Sequence, residues 1–224
     1  MIKNLIFDLD DTLYPEKDYN ISGFKAVSEY LELTYHTNGM FEKFLALYFN
    51  GQRHNIFNCA LKDVNLSITS VIIDELVSCY RNHQPEIFLT DEIESELIYY
   101  RDCGYKLGLI TDGYSVVQHK KIEALNLEKY FNHIVVTDDY GRECWKPSLF
   151  PFELIMRKMD DENFENYVYV GDNCNKDFKA PNILKWKTIQ SRHFRGFYSE
   201  ENNCDKLFKA KYVVDKLLEI RNYI

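Results

Sequence analysis

From residue 105 onward the chain alternates short strand-like runs with amphipathic stretches, and that alternation constrains the fold more than any other feature. Residues 105–110 read as a strand ending at Thr111-Asp112-Gly113. Residues 133–136 form another, 167–170 lead into Gly171-Asp172, 187–190 make a shorter one and 212–214 a weaker one. Between them lie helical patterns. Thr90 or Asp91 is placed to cap a helix carrying Ile93, Leu97 and Tyr100 on one face, with Gly104 stopping it. Residues 116–125 repeat the pattern, and 152–159 follow Pro151, a residue suited to a first helical turn. Strand and helix in alternation predict an α/β fold, a doubly wound parallel sheet.

The first half differs. Residues 4–7 read as a buried strand, and no second clear strand follows until residue 105. Instead Phe24, Val27 and Leu31 recur at helical spacing, then Phe41, Phe44, Leu45 and Tyr48, then Ile72, Ile73, Leu76, Val77 and Tyr80. The expected organisation is therefore an α/β core of residues 1–17 and 86–224, with a helical insertion at 18–85. Open α/β sheets bind ligands beyond the carboxyl ends of their strands, so an insertion leaving from that end would sit over the site as a cap.

Two carboxylates, Asp8 and Asp10, fall where the first strand ends. An extended chain has a side-chain period of two, so both project toward one region. Like charges that close persist only if a cation or a shared proton relieves them. Other polar groups fall at later strand ends: Thr111, Lys146 before Pro147, and Asp172 with Asp177. Each alone has a plain structural reading. Asp-x-Asp can be a solvated loop, Thr111 a cap, Lys146 a surface residue, and Gly171-Asp172-Asn173 a turn opening a helix.

Composition narrows the function classes. A length of 224 residues with 46% hydrophobic content supplies one substantial core or a core with a modest insertion. A net charge of -8 argues against nucleic-acid binding and requires a local metal or lysine to draw in any anionic substrate. No apolar run reaches membrane-spanning length, and the N-terminal apolar segment is cut by Asp8 too early for a signal peptide. Six cysteines, at 59, 79, 103, 144, 174 and 204, are scattered without a C-x-x-C pair. They read as reduced thiols of a cytoplasmic protein, monomer or homodimer, without zinc. The six histidines show no metal-ligand spacing, and Lys206, Lys209 and Lys211 read with Arg192 and Arg195 as a solvated basic face.

Taken in order, the strand-end residues resemble the four motifs of the haloacid dehalogenase superfamily of phosphohydrolases. The first is Asp8-x-Asp10-x-Thr12, the second Leu109-Ile110-Thr111-Asp112-Gly113. The third is Lys146-Pro147, and the fourth runs from Val170-Gly171-Asp172-Asn173 to Asp177. The long first insertion resembles the branch whose helical cap lies between the first and second motifs. The resemblance implies Asp8 as nucleophile forming an aspartyl-phosphate, and Asp10 as the acid and then the base. It implies Mg²⁺ held by the Asp8 carboxylate, the Asp10 backbone carbonyl and Asp172, a hard all-oxygen set. Thr111, with the backbone N–H groups of Asp112 and Gly113, and Lys146 would hold the phosphoryl oxygens, with Asn173 and Asp177 in support. Asp112 stands where Asn is common in this superfamily, so its carboxylate is expected to turn away from phosphate.

The expected activity is a Mg²⁺-dependent phosphatase of a small phosphorylated metabolite: a sugar, polyol or nucleoside monophosphate. Asp10 separates it from the dehalogenases, which need no protonated leaving oxygen. A sugar phosphomutase uses the same intermediate and is the alternative; an inert binding module is a further one. Arg53 and His54, beside a turn at Asn50-Gly51, are candidate substrate contacts from the insertion, against the plain reading of a solvated connection.

Overall fold

The computed structural model of the protein describes residues 2–62, 64, 69–196 and 205–224. It divides into two compact units: Met1–Glu16 with Phe88–Ile224, and Lys17–Ile87.

The first unit is built on β1 (Asn4–Phe7), β2 (Lys106–Thr111), β3 (His133–Val136), β4 (Tyr167–Gly171), β5 (Lys187–Ser191) and β6 (Tyr212–Val214). All neighbours pair in parallel, in the order β3-β2-β1-β4-β5-β6. The chain builds outward from β1 on one side, then crosses back to place β4 on the other. β1 is thus the point where the winding reverses, and the crevice beyond its carboxyl end is the ligand position of such sheets. Phe7 lies opposite Leu109 on one side and Val170 on the other, so the residues after β1, β2 and β4 emerge together.

The inserted unit is helical: α1 (Glu16–Tyr35), whose first residue belongs to the sheet unit, α2 (Met40–Phe49), α3 (Ile56–Leu61) and α4 (Ser70–Asn82). The spacing of Phe24, Val27 and Leu31 turns them into one buried face, which packs with Phe44, Phe57, Ala60, Leu61 and Leu76. α3 has no counterpart in the sequence reading, because six residues carry too little periodicity to register.

Around the sheet run α5 (Asp91–Asp102), α6 (Ser115–Ala124), α7 (Phe150–Met159) and α8 (Lys179–Ile183). Thr90 caps α5, its hydroxyl accepting the Ile93 N–H, and Ile93, Leu97 and Tyr100 are buried as their spacing requires. Pro151 lies in the first turn of α7, the position to which it is suited. Tyr169 and Phe152 meet Trp186 and Phe178 in the core beside β4. Among the described residues, no helix is long and apolar enough to cross a membrane. Cys59, Cys79, Cys103 and Cys144 are free thiols. Cys174 is disulfide-bonded, against the expectation of reduced thiols throughout, and Cys204 lies outside the described residues.

Candidate active site

The end of β1 delivers Asp8 into the rim almost completely buried, at 1% exposure. Its Oδ1 accepts a 2.7 Å hydrogen bond from Lys146 Nζ, while Oδ2 is buried without a hydrogen-bond partner among the described residues. Lys146 Nζ also donates to Asp177 Oδ1 at 2.7 Å and to Tyr169 Oη at 3.0 Å. Asp177 uses its second oxygen to accept the Asn173 N–H at 2.9 Å. The fourth loop is therefore tied to Lys146 through one carboxylate.

One ligand oxygen from each of Asp8, Asp172 and Asp177 lies within 4.8 Å of the others, all three residues buried. Against these three carboxylates Lys146 brings its charge into direct contact with Asp8 and Asp177, and Lys176 adds a second charge that acts on Asp8 and Asp172. Burial, with the charges of Asp177 and Asp8, holds the Asp172 carboxyl far above the ordinary carboxylate range. Asp8 is also raised, because burial outweighs the pull of Lys146. Lys146 stays charged, since Asp177, Asp8 and Asp112 more than offset the burial that opposes its charge. An unpartnered carboxylate oxygen, two more carboxylates within reach and no soft donor fit a hard divalent cation.

Asp10 takes a different set of partners, on the side of α6. Its Oδ1 accepts from Lys121 Nζ at 2.7 Å and from the Tyr14 hydroxyl at 2.5 Å; Oδ2 accepts a longer 3.4 Å contact from Gln118 Nε2. Burial alone would raise this carboxyl, but the charge and hydrogen bond of Lys121 and the bond from Tyr14 hold it below the ordinary range. The hydroxyl of Thr111, expected to face a phosphoryl oxygen, donates to Gln118 Oε1 at 2.9 Å. Gln118 thus bridges Thr111 and Asp10. A Cβ on Gly113 would lie 2.4 Å from Gln118 Nε2, and its φ of +136° also favours glycine there.

Asp112 turns aside, as its charge demands. Its Oδ1 accepts from the Thr137 hydroxyl at 2.8 Å and from the Lys146 N–H at 3.1 Å, so it anchors the backbone of the lysine. Arg53 and His54 lie on the helical unit, exposed in the connection between α2 and α3, with the Arg53 guanidinium 4.0 Å from the centre of the Tyr48 ring. The sheet unit thus brings together Asp8, Asp10, Thr111, Asp112, Lys146, Asp172, Asn173 and Asp177. Tyr14, Gln118, Lys121 and Tyr169 escaped the sequence reading. The signal for two of them was present: Gln118 and Lys121 occupy the buried face of α6 with Val117 and Ile122, where a lysine needs a reason.

A parallel sheet with buried carboxylates and a lysine gathered at its winding reversal is the architecture of the family that the chain matches over residues 5–190, the haloacid dehalogenase-like hydrolases. The chain belongs to that family, and within it to the phosphatases that cleave phosphate esters. It is 26% identical to the glyceraldehyde 3-phosphate phosphatase of Methanocaldococcus jannaschii, over 98% of this chain and 96% of that one. It is 28% identical to the pyrophosphatase PpaX of Bacillus pumilus, over 77% and 75%. In fold it resembles YfnB, a HAD hydrolase of Bacillus subtilis crystallised bound to magnesium, with a TM-score of 0.70, 18% identity, and 99% and 98% coverage.

Proposed function

We propose that the protein is a Mg²⁺-dependent phosphatase that transfers the phosphoryl group of a small metabolite to Asp8 and then to water. The observation that carries this reading is Asp8 itself. A buried carboxylate held on one oxygen by Lys146 and unpartnered on the other is oriented and short of a counter-charge, as a nucleophile for phosphorus beside a cation should be.

The Asp8 and Asp172 carboxylates, with the Asp10 backbone carbonyl, would hold Mg²⁺. Bound there, the ion supplies charge that offsets repulsion between Asp8 and the phosphoryl oxygens. Asp177, whose two oxygens are taken by Lys146 and the Asn173 N–H, acts in support of the lysine. In the first step Asp10, ionised in the free protein, takes up a proton as the anionic ester binds beside it; an Asp8 oxygen then bonds to phosphorus, the ester P–O bond breaks, and Asp10 gives that proton to the departing oxygen. In the second, Asp10 takes a proton from water, the water oxygen bonds to phosphorus, and the Asp8–phosphorus link breaks to release phosphate. Lys146 and the backbone N–H groups of Asp112 and Gly113 steady the phosphoryl oxygens as charge moves.

Among substrates, a three-carbon sugar phosphate is the first candidate, supported by the name and near-complete coverage of the archaeal relative. Choice of ester is assigned to the helical unit, with Arg53 and His54 as candidate contacts. The test is Asp8→Asn, assayed for phosphate release in Mg²⁺ on a panel of sugar, polyol and nucleoside monophosphates. Turnover should vanish on every substrate while the melting transition stays; hydrolysis at more than a small fraction of the wild-type rate would remove Asp8 as nucleophile.

A further inference from the structure

From the grip on the Asp10 side chain, we infer that Lys121 and Tyr14 are positioning residues that fix its Oδ1 and so leave Oδ2 as the oxygen exchanging protons with the leaving group and with water. The inference rests on the proposed acid–base role of Asp10 and assigns what makes that role work in this chain.

Lys121 is 2% exposed and sits on the apolar face of α6, between Val117 and Ile122 in the buried pattern. A lysine there gives up hydration and recovers it only through close, well-oriented anionic partners. Its ammonium lies 2.7 Å from Asp10 Oδ1, and the buried Tyr14 hydroxyl reaches the same oxygen at 2.5 Å. Two strong donors on one carboxylate oxygen set the plane and rotation of the group. Among the described residues, Oδ2 has only the 3.4 Å approach of Gln118 Nε2, and it keeps lone-pair capacity for a proton. Tyr14 is four residues beyond Asp10 in the tight segment after β1, where Leu13 N–H bonds back to Leu9 C=O. The grip is therefore local on one side and reaches across to α6 on the other. Neither residue exchanges a proton in this scheme; both aim the residue that does.

A purely structural ion pair would disturb binding and every ester alike. A positioning role predicts a dependence on the leaving group. An alkyl phosphate needs a proton on its departing oxygen, whereas p-nitrophenolate departs without one, so only the second, water-attack step of p-nitrophenyl phosphate hydrolysis needs Asp10.

The experiment uses the full chain in Mg²⁺, with Lys121→Met and Tyr14→Phe compared with wild type and Asp10→Asn on glycerol 3-phosphate and p-nitrophenyl phosphate. Lys121→Met should lower kcat on the alkyl ester by about 10²-fold, the lower end of what general acid–base catalysis supplies, with KM nearly unchanged. Tyr14→Phe, which keeps the ring and removes one donor, should lower it by about 10-fold. On p-nitrophenyl phosphate both variants should release one equivalent of p-nitrophenolate in a rapid burst and then turn over slowly. Equal slowing of burst and turnover on both esters, a change confined to KM, or wild-type kinetics would overturn the inference. If Lys121→Met does not fold, Tyr14→Phe decides by the same criteria. Asp10→Asn separates the two levels: an impaired Asp10→Asn beside unimpaired Lys121 and Tyr14 variants refutes positioning alone, whereas an unimpaired Asp10→Asn refutes the acid–base reading as well.

Discussion

Gly171 and Asp177 stand so close that a Cβ on the glycine would lie 2.5 Å from the Asp177 Oδ2. That oxygen accepts the Asn173 N–H, and the other oxygen of Asp177 binds Lys146. The missing side chain at the end of β4 is thus what lets the fourth loop fold back on the lysine. Gly171→Ala should push Asp177 off both partners, costing about 1–3 kcal/mol as an overpacked core site does. It should also lower kcat more than it raises KM, because Lys146 loses its anchor. Thermal melting and steady-state kinetics check this; wild-type values for both would mean that Asp177 adjusts freely.

Lys146 faces Asp8 and Asp177 at full burial, and removing one member of a buried ionic cluster costs more than the cluster contributes. Lys146→Met should destabilise the metal-free protein by about 3–5 kcal/mol near neutral pH. Lys146 is one of the influences that lower the Asp8 carboxyl, so its loss raises that carboxyl further. A carboxyl raised in the folded state favours folding while protonated and loses that contribution as pH climbs through its folded pKa. The deficit should therefore shrink as pH falls. Urea melts of both proteins at several pH values measure it, and a deficit independent of pH would contradict the assignment.

The sheet was legible because its strands are short, largely apolar runs bounded by turn residues; β3 and β6 begin and end where the pattern places them. Asp8 and Asp172 were legible because strand ends in a parallel sheet share one rim; Lys146, expected at a strand end, instead follows two short turns beyond β3, and only its place in the motif order marked it. The second set of contacts was not. Gln118 and Lys121 reach Asp10 only because α6 returns across the rim, and a sequence shows which face of a helix is buried but not what that face meets. The turn of Asp112 away from the phosphate position was foreseeable from its charge, whereas its Thr137 partner and the engagement of the Thr111 hydroxyl by Gln118 required the fold.

Arg53 and His54 test the division of labour between the units. The groups assigned to the phosphoryl transfer all lie on the sheet unit and serve every ester. If the helical unit selects the ester, Arg53→Ala or His54→Ala should reorder kcat/KM across sugar, polyol and nucleoside monophosphates. The ester that used the contact should lose about 10–100-fold, as expected for a hydrogen bond to a charged group, with p-nitrophenyl phosphate nearly unaffected. Uniform loss, or none, would return both residues to the plain reading of a solvated connection.

Four carboxyls on this rim are raised in the metal-free protein, and their sum gives a pH dependence of definite sign. Asp11 is pushed up to about 6, chiefly by burial, against the Glu16 N–H that its Oδ1 accepts. Glu16 is pushed up to about 7 by burial and by the charge of Asp10, and Asp8 and Asp172 are raised mainly by burial. With folded values above unfolded ones, the native state binds more protons, so stability is greatest below the unfolded values and falls as pH rises through the folded ones. In chelator, the melting temperature should drop between about pH 5 and about pH 8. Mg²⁺ binds the ionised carboxylates, so adding it should raise the melting temperature more at the upper end of that range than at the lower. Glu16→Gln removes the group pushed up to about 7, and should flatten the upper part of the chelated profile while leaving the response to Mg²⁺. A flat profile in chelator, or a Mg²⁺ response that grows toward low pH, would show that these carboxyls are already ionised without the ion.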